Sequence, residues 1–173
     1  PGQAEKTLEY YRPTSQIIAG DLSICAGEGI MVRATPFTRN GANRPLSYSW
    51  SLGNGESADT ESASTIYETG GIYMVRLDYT EIATGCSVTE ETTVIVSQPP
   101  LVYEAILVNG AFSDNHVVQA TATGLGDSYV YQLDDGEFIE SGTFENVSPG
   151  SHTVTFKDAR GCGSVTIEIG VID

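Results

Sequence analysis

Positive charge is scarce in this chain. Lysine and arginine number 8 against 23 aspartates and glutamates, a net charge of −15 at pH 7. Both halves share the imbalance, with 12 acidic and 6 basic residues in positions 1–98 and 11 and 2 in 99–173. Such a field repels the phosphates of nucleic acid and of anionic membranes, so neither is an expected partner. Apolar runs are short: none approaches the ~20 residues of a membrane-spanning helix. No signal peptide opens the sequence; if the protein is secreted, its signal is expected upstream. Histidine (2), cysteine (3) and tryptophan (1) are sparse. Their scatter gives no zinc-ligand spacing, and no sequence context prepares a Ser-His-Asp relay. His116 reads as a loop residue in Ser113-Asp-Asn-His116, and His152 as a partly buried strand residue. No cofactor is expected and the chain does not read as an enzyme.

What is present is alternation. Tyr48, Trp50 and Leu52, then Tyr73, Val75, Leu77 and Tyr79, and later Val165, Ile167, Ile169 and Val171 recur with period two between glycine- and aspartate-rich turns. That is the pattern of short, half-buried strands, so the fold class is all-β. The pattern also repeats. Tyr48-Ser-Trp50-Ser-Leu52-Gly-Asn-Gly55, Gly71-Ile-Tyr73-Met-Val75-Arg-Leu77 and Gly85-Cys86 answer to Tyr129-Val-Tyr131-Gln-Leu133-Asp-Asp-Gly136, Gly150-Ser-His152-Thr-Val154-Thr-Phe156 and Gly161-Cys162. Two copies of one unit predict two tandem immunoglobulin-like β-sandwiches. The boundary falls at Ser97-Gln98-Pro99-Pro100, where two prolines end strand pairing and stiffen the link. Domain one is then 16–98 and domain two 99–173, with 1–15 a tail or the end of a preceding module. Asn54-Gly55 and Asp135-Gly136 are expected to close tight turns, because glycine tolerates positive φ. Trp50 has inward parity and is expected at the centre of its sandwich.

Tyr48, Trp50, Gly53-Asn54-Gly55, Tyr67, Gly71, Tyr73, Val75 and Leu77 resemble the polycystic-kidney-disease (PKD) type of immunoglobulin-like domain, with Asn54 where that family usually has aspartate. The second unit resembles repeats in large surface proteins of gliding Bacteroidetes. Its closest likeness there is the module before the C-terminal sorting domain of type IX-secreted, gliding-motility-class proteins. The resemblance covers about 16–173 and implies an exported, extracellular or outer-membrane surface protein. It also implies the type IX machinery as a partner, through a downstream sorting domain whose motif this sequence does not contain.

On an immunoglobulin-like sandwich, Cys25 sits at the corner before Gly27-Glu28-Gly29, and Cys86 in the last hairpin, at the opposite end. An intervening strand of eight residues at ~3.3 Å each separates those corners by roughly 25 Å, whereas a disulfide needs Cα atoms within about 7 Å. An interdomain bond Cys25–Cys162 is therefore favoured, which leaves Cys86 for a module upstream. A bond Cys25–Cys86 and free thiols remain the alternatives.

Asp134, Asp135 and Glu137 cluster at a hairpin and are weak calcium candidates, without the spacing of an EF-hand loop. Tyr10, Tyr11 and Tyr103 are candidates for a sugar-binding platform, with edge packing or the domain junction as the alternative reading. The function expected is that of a non-catalytic stalk, spacer or adhesin segment. The alternative is a carbohydrate-binding accessory module of a secreted hydrolase, with surface glycans or other surface proteins as partners.

Overall fold

Period-two burial runs through nearly every strand. The computed structural model describes residues 13–39, 42–108, 116–125 and 128–171. In chain order the strands are β1 (Ile17–Ala19), β2 (Ser23–Cys25), β3 (Gly29–Ala34), β4 (Thr38–Arg39), β5 (Ala42–Asn43), β6 (Leu46–Ser51), β7 (Ser57–Ala58) and β8 (Ser62–Ile66). They continue as β9 (Gly71–Glu81), β10 (Ser87–Ser97), β11 (Val102–Leu107), β12 (His116–Thr123), β13 (Tyr129–Leu133), β14 (Thr143–Val147), β15 (Gly150–Asp158) and β16 (Ser164–Val171).

The fold is all-β and of immunoglobulin-like sandwich type. Residues before Pro99 form sheets ordered β1–β3–β8 and β2–β10–β9–β6–β7, with the small pair β4–β5. Residues after Pro100 form β11–β12–β14 and β13–β15–β16. Packing divides the chain into two compact units: 1–20, 30–65 and 74–92 in the first, and 21–29, 66–73 and 93–173 in the second.

In the first unit the inward positions Val32, Trp50, Leu52, Val75, Leu77 and Tyr79 are almost wholly buried. Trp50 lies opposite Leu77 and donates its indole N–H to the Thr60 carbonyl at 2.9 Å, so its one polar atom is satisfied. Of residues 1–15, Pro13 and Ser15 are buried, and the Ser15 N–H donates to the Tyr79 hydroxyl at 2.8 Å. Glu81 closes β9 and is fully buried, with Arg44 Nε at 2.6 Å from Oε1 and the Thr84 hydroxyl at 2.7 Å from Oε2.

In the second unit Val118, Ala120, Tyr131, Val147, Val154 and Phe156 form the core, and Tyr131 meets Phe156 edge-on at 5.9 Å. His116 departs from expectation. It is the first residue of β12 and 2% exposed, with neither ring nitrogen hydrogen-bonded among the described residues. The polar stretch before it hid the strand start, because His116 already points to the apolar side opposite Val147.

The two predicted turns differ in mechanism. Gly53 and Gly55 do take positive φ, at 82° and 94°. In the second turn Asp134 takes it instead, at 48°, while Gly136 donates to the Leu133 carbonyl at 3.0 Å. A short carboxylate that bonds nearby backbone tolerates this region better than most side chains.

Candidate functional site

Two constellations in the second unit carry chemistry. The first is covalent. Cys25, at the end of β2, is joined to Cys162, in the loop between β15 and β16, with Cα atoms 5.2 Å apart. Each cysteine sits on a turn organised by a carboxylate. Cys25 N–H donates to Glu28 Oε2 at 2.8 Å, and Glu28 N–H returns to the Cys25 carbonyl at 3.0 Å. Asp158, fully buried, accepts from the N–H groups of Arg160 (3.0 Å) and Cys162 (3.2 Å) through Oδ1. Strand β2 is fixed by parallel pairing with the end of β10, Cys25 opposite Ser97.

The segment Ser97-Gln98-Pro99-Pro100 is not an exposed hinge. Ser97, Gln98 and Pro100 are buried, and Gln98 Oε1 accepts from the Gly70 N–H at 2.6 Å. Pro99 lies so close to Gly163 that a Cβ there would stand 2.5 Å from the Pro99 ring. Cys86 lies outside this cluster, half-buried and with a free thiol.

The second constellation is a Ser-His-Asp grouping that the sequence context concealed. His152, on β15, places Nδ1 at 2.8 Å from Asp134 Oδ2 and Nε2 at 2.8 Å from the Ser148 carbonyl, with the Ser148 hydroxyl at 3.5 Å. A relay needs Nε2 free to accept the serine proton. Here both ring nitrogens face acceptors, so Nε2 is not free for that role, and the arrangement favours the protonated ring. Asp134 also accepts from the Thr153 N–H at 2.8 Å. The hydrogen bond to Asp134, then that to the Ser148 carbonyl, raises the His152 pKa above its ordinary value. The reciprocal bond from His152, then that from the Thr153 backbone, lowers that of Asp134. The grouping clamps a turn to a strand. The depression beside it, lined by Asp134, Ser151, His152, Thr153 and Glu168, measures about 90 Å³, well below the ~300 Å³ at which small-molecule pockets begin.

The calcium candidates are not brought together. Asp134 is committed to His152 and Thr153, whereas Asp135 and Glu137 are exposed on the turn. Among the described residues no three His, Cys, Asp or Glu side chains are placed to hold a metal ion. Tyr103 packs on Phe156 at 5.4 Å, as edge packing requires, while Tyr10 and Tyr11 lie outside the described residues. No helix among the described residues is long and apolar enough to cross a membrane.

Several known proteins are similar to this chain. The PKD1 domain of the Vibrio cholerae metalloprotease PrtV is 25% identical over 51% of this chain and 100% of its own, with a TM-score of 0.41. The PKD1 domain of Vibrio anguillarum Epp is 22% identical over 51% of this chain and 98% of its own, with a TM-score of 0.42. A structure of carbohydrate-binding modules from the β-sandwich superfamily is 13% identical over 95% of this chain and 86% of its own, at a TM-score of 0.47. No curated protein matches the chain. The family model for the PKD domain matches residues 10–96, just over half of the 173 residues. PKD domains are non-catalytic accessory modules, and one stabilised by a disulfide fits an extracellular or secreted location. The chain belongs to the PKD domain family.

Proposed function

We propose that this chain is a spacer, a stalk or adhesin segment that sets a distance between other parts of an exported bacterial surface protein. Two sandwiches, 16–98 and 99–173, supply the length. The finer assignment, a protein exported by the type IX secretion system and linked to gliding motility, rests on the likeness of the second unit to Bacteroidetes surface repeats. The observation that carries the reading is the state of Ser97–Pro100. A flexible linker is polar and solvated, yet Ser97, Gln98 and Pro100 are buried beside the Cys25–Cys162 bond. Burial and a covalent tie hold this segment within the second unit, so it does not serve as a flexible linker.

A module swap in the native host tests this. Replacing residues 13–171 with an unrelated pair of β-sandwiches of equal length should preserve surface display and adhesion or motility. Loss of adhesion with normal display would overturn the spacer reading and favour a specific ligand. A glycan array would then test the carbohydrate-binding alternative.

A further inference from the structure

We propose that the Cys25–Cys162 bond is a force bypass. Tension applied along the chain enters at Cys25, crosses to Cys162 and leaves through β16, so the residues between them carry no stretching load. The inference rests on the spacer reading for its use, but its physics follows from connectivity alone. The two cysteines are 137 positions apart in sequence and 5.2 Å apart between Cα atoms. Fully extended, that span would measure about 450–490 Å at ~3.3–3.6 Å per residue. With the bond intact, none of that length can be drawn out, whether or not the strands between the cysteines stay folded. Only Pro1–Cys25 and Cys162–Asp173 can lengthen, about 120–130 Å of contour in all on the same measure.

The placement suits the task. The span contains β3 through β15, every strand of both sandwiches except β1, β2 and β16. The cysteines sit on turns held by Glu28 and Asp158, so the bond is seated on ordered backbone at both ends. A spacer built this way keeps its length under a load that would unravel a sandwich held by hydrogen bonds alone.

The test is single-molecule pulling of the full chain between reference domains of known unfolding length. Oxidised protein should yield no more than about 13 nm of contour at ~3.6 Å per residue. Admitting dithiothreitol should then release one further step of about 45–49 nm, at ~3.3–3.6 Å per residue over the bypassed span. In that step a reagent thiolate attacks one sulfur and expels the other as thiolate. The second reagent thiol then displaces the first cysteine and closes cyclic oxidised dithiothreitol. Two electrons pass to the protein, and both cysteines end as thiols. Cys25→Ser/Cys162→Ser should show the long release without reductant. Should that variant not fold, the oxidised and reduced arms of the unaltered protein still decide. A release of tens of nanometres from oxidised protein, or no added step on reduction, would overturn the bypass. Neither result bears on the module swap, so the spacer reading and the bypass can fail separately.

Discussion

Removing the arginine opposite Glu81 should destabilise the first unit more than removing both partners. Glu81 is 0% exposed and Arg44 33% exposed at their side chains, with Nε and Oε1 2.6 Å apart. Arg44 reaches it because it lies two residues before Leu46, the first residue of β6 and the one opposite Glu81. Breaking a buried pair from one side typically costs about 3–5 kcal/mol, since a charge is left uncompensated. Here the Thr84 hydroxyl still donates to Oε2, and the partly open arginine site lets water in after truncation. We therefore expect a loss of about 2–3 kcal/mol for Arg44→Ala, below the full range for sealed pairs. The double variant Arg44→Met/Glu81→Leu replaces the pair with apolar volume and should lie within about 1 kcal/mol of the parent, as such swaps are often neutral. Urea denaturation followed by Trp50 fluorescence suits the question, because Trp50 is the sole tryptophan and shares the β6–β9 pairing with Glu81. A double-mutant cycle then isolates the coupling. The reasoning fails if Arg44→Ala stays within about 0.5 kcal/mol of the parent, the scatter of ordinary surface changes.

Two further expectations follow from the second unit. The His152 pKa is raised on folding, so its stabilisation is complete below the unfolded value of about 6.5 and fades as pH rises through the higher folded value. The Asp134 pKa is lowered, so its share is complete above about 3.9 and fades as pH falls through the lower folded value. Thermal midpoints of Asp134→Asn should accordingly decline less steeply above pH 6.5 than those of the parent, since only the Ser148 carbonyl then holds the ring, and an unchanged slope would refute the clamp. His116→Leu should hold or raise the unfolding free energy measured in urea, by up to about 1 kcal/mol, because it removes buried nitrogens that no described residue satisfies. A loss of more than about 1 kcal/mol, the net worth of one hydrogen bond, would mean that His116 has a partner.

Legibility in the sequence followed periodicity. Trp50, Val75, Leu77 and Tyr79 announced their burial because alternation on a strand is a local property. The path to the Cys25–Cys162 pairing was longer: strand length and the reach of a disulfide disfavoured Cys25–Cys86, and the tandem repeat supplied Cys162 as the other partner. What stayed hidden was convergence between distant strands. His152 and Asp134 are 18 positions apart, and nothing local relates them. Asp134 read as a turn residue or a calcium candidate, and its bond to the Thr153 N–H depends on how β13 registers against β15. Arg44 and Glu81 are 37 positions apart, and only the pairing of β6 with β9 brings them together.

The repeat itself conceals a register difference that only backbone pairing exposes. Strand β15 has 9 residues and β9 has 11, a change of two that keeps every side chain on its own face. The hairpins that follow do not keep step. Glu81 N–H bonds the carbonyl of Cys86, whereas Asp158 N–H bonds that of Gly163, the residue after Cys162. By pairing, Cys86 therefore corresponds to Gly163, and it is Gly85 that corresponds to Cys162. A shift of one position turns a side chain to the other face of a hairpin. Cys162 thus occupies the loop site from which Cys25 is reached, while Cys86 stands one position later in its own hairpin, immediately before β10. The matching Gly-Cys dipeptides share a sequence position without sharing a geometry, and any partner for Cys86 must approach from a different side.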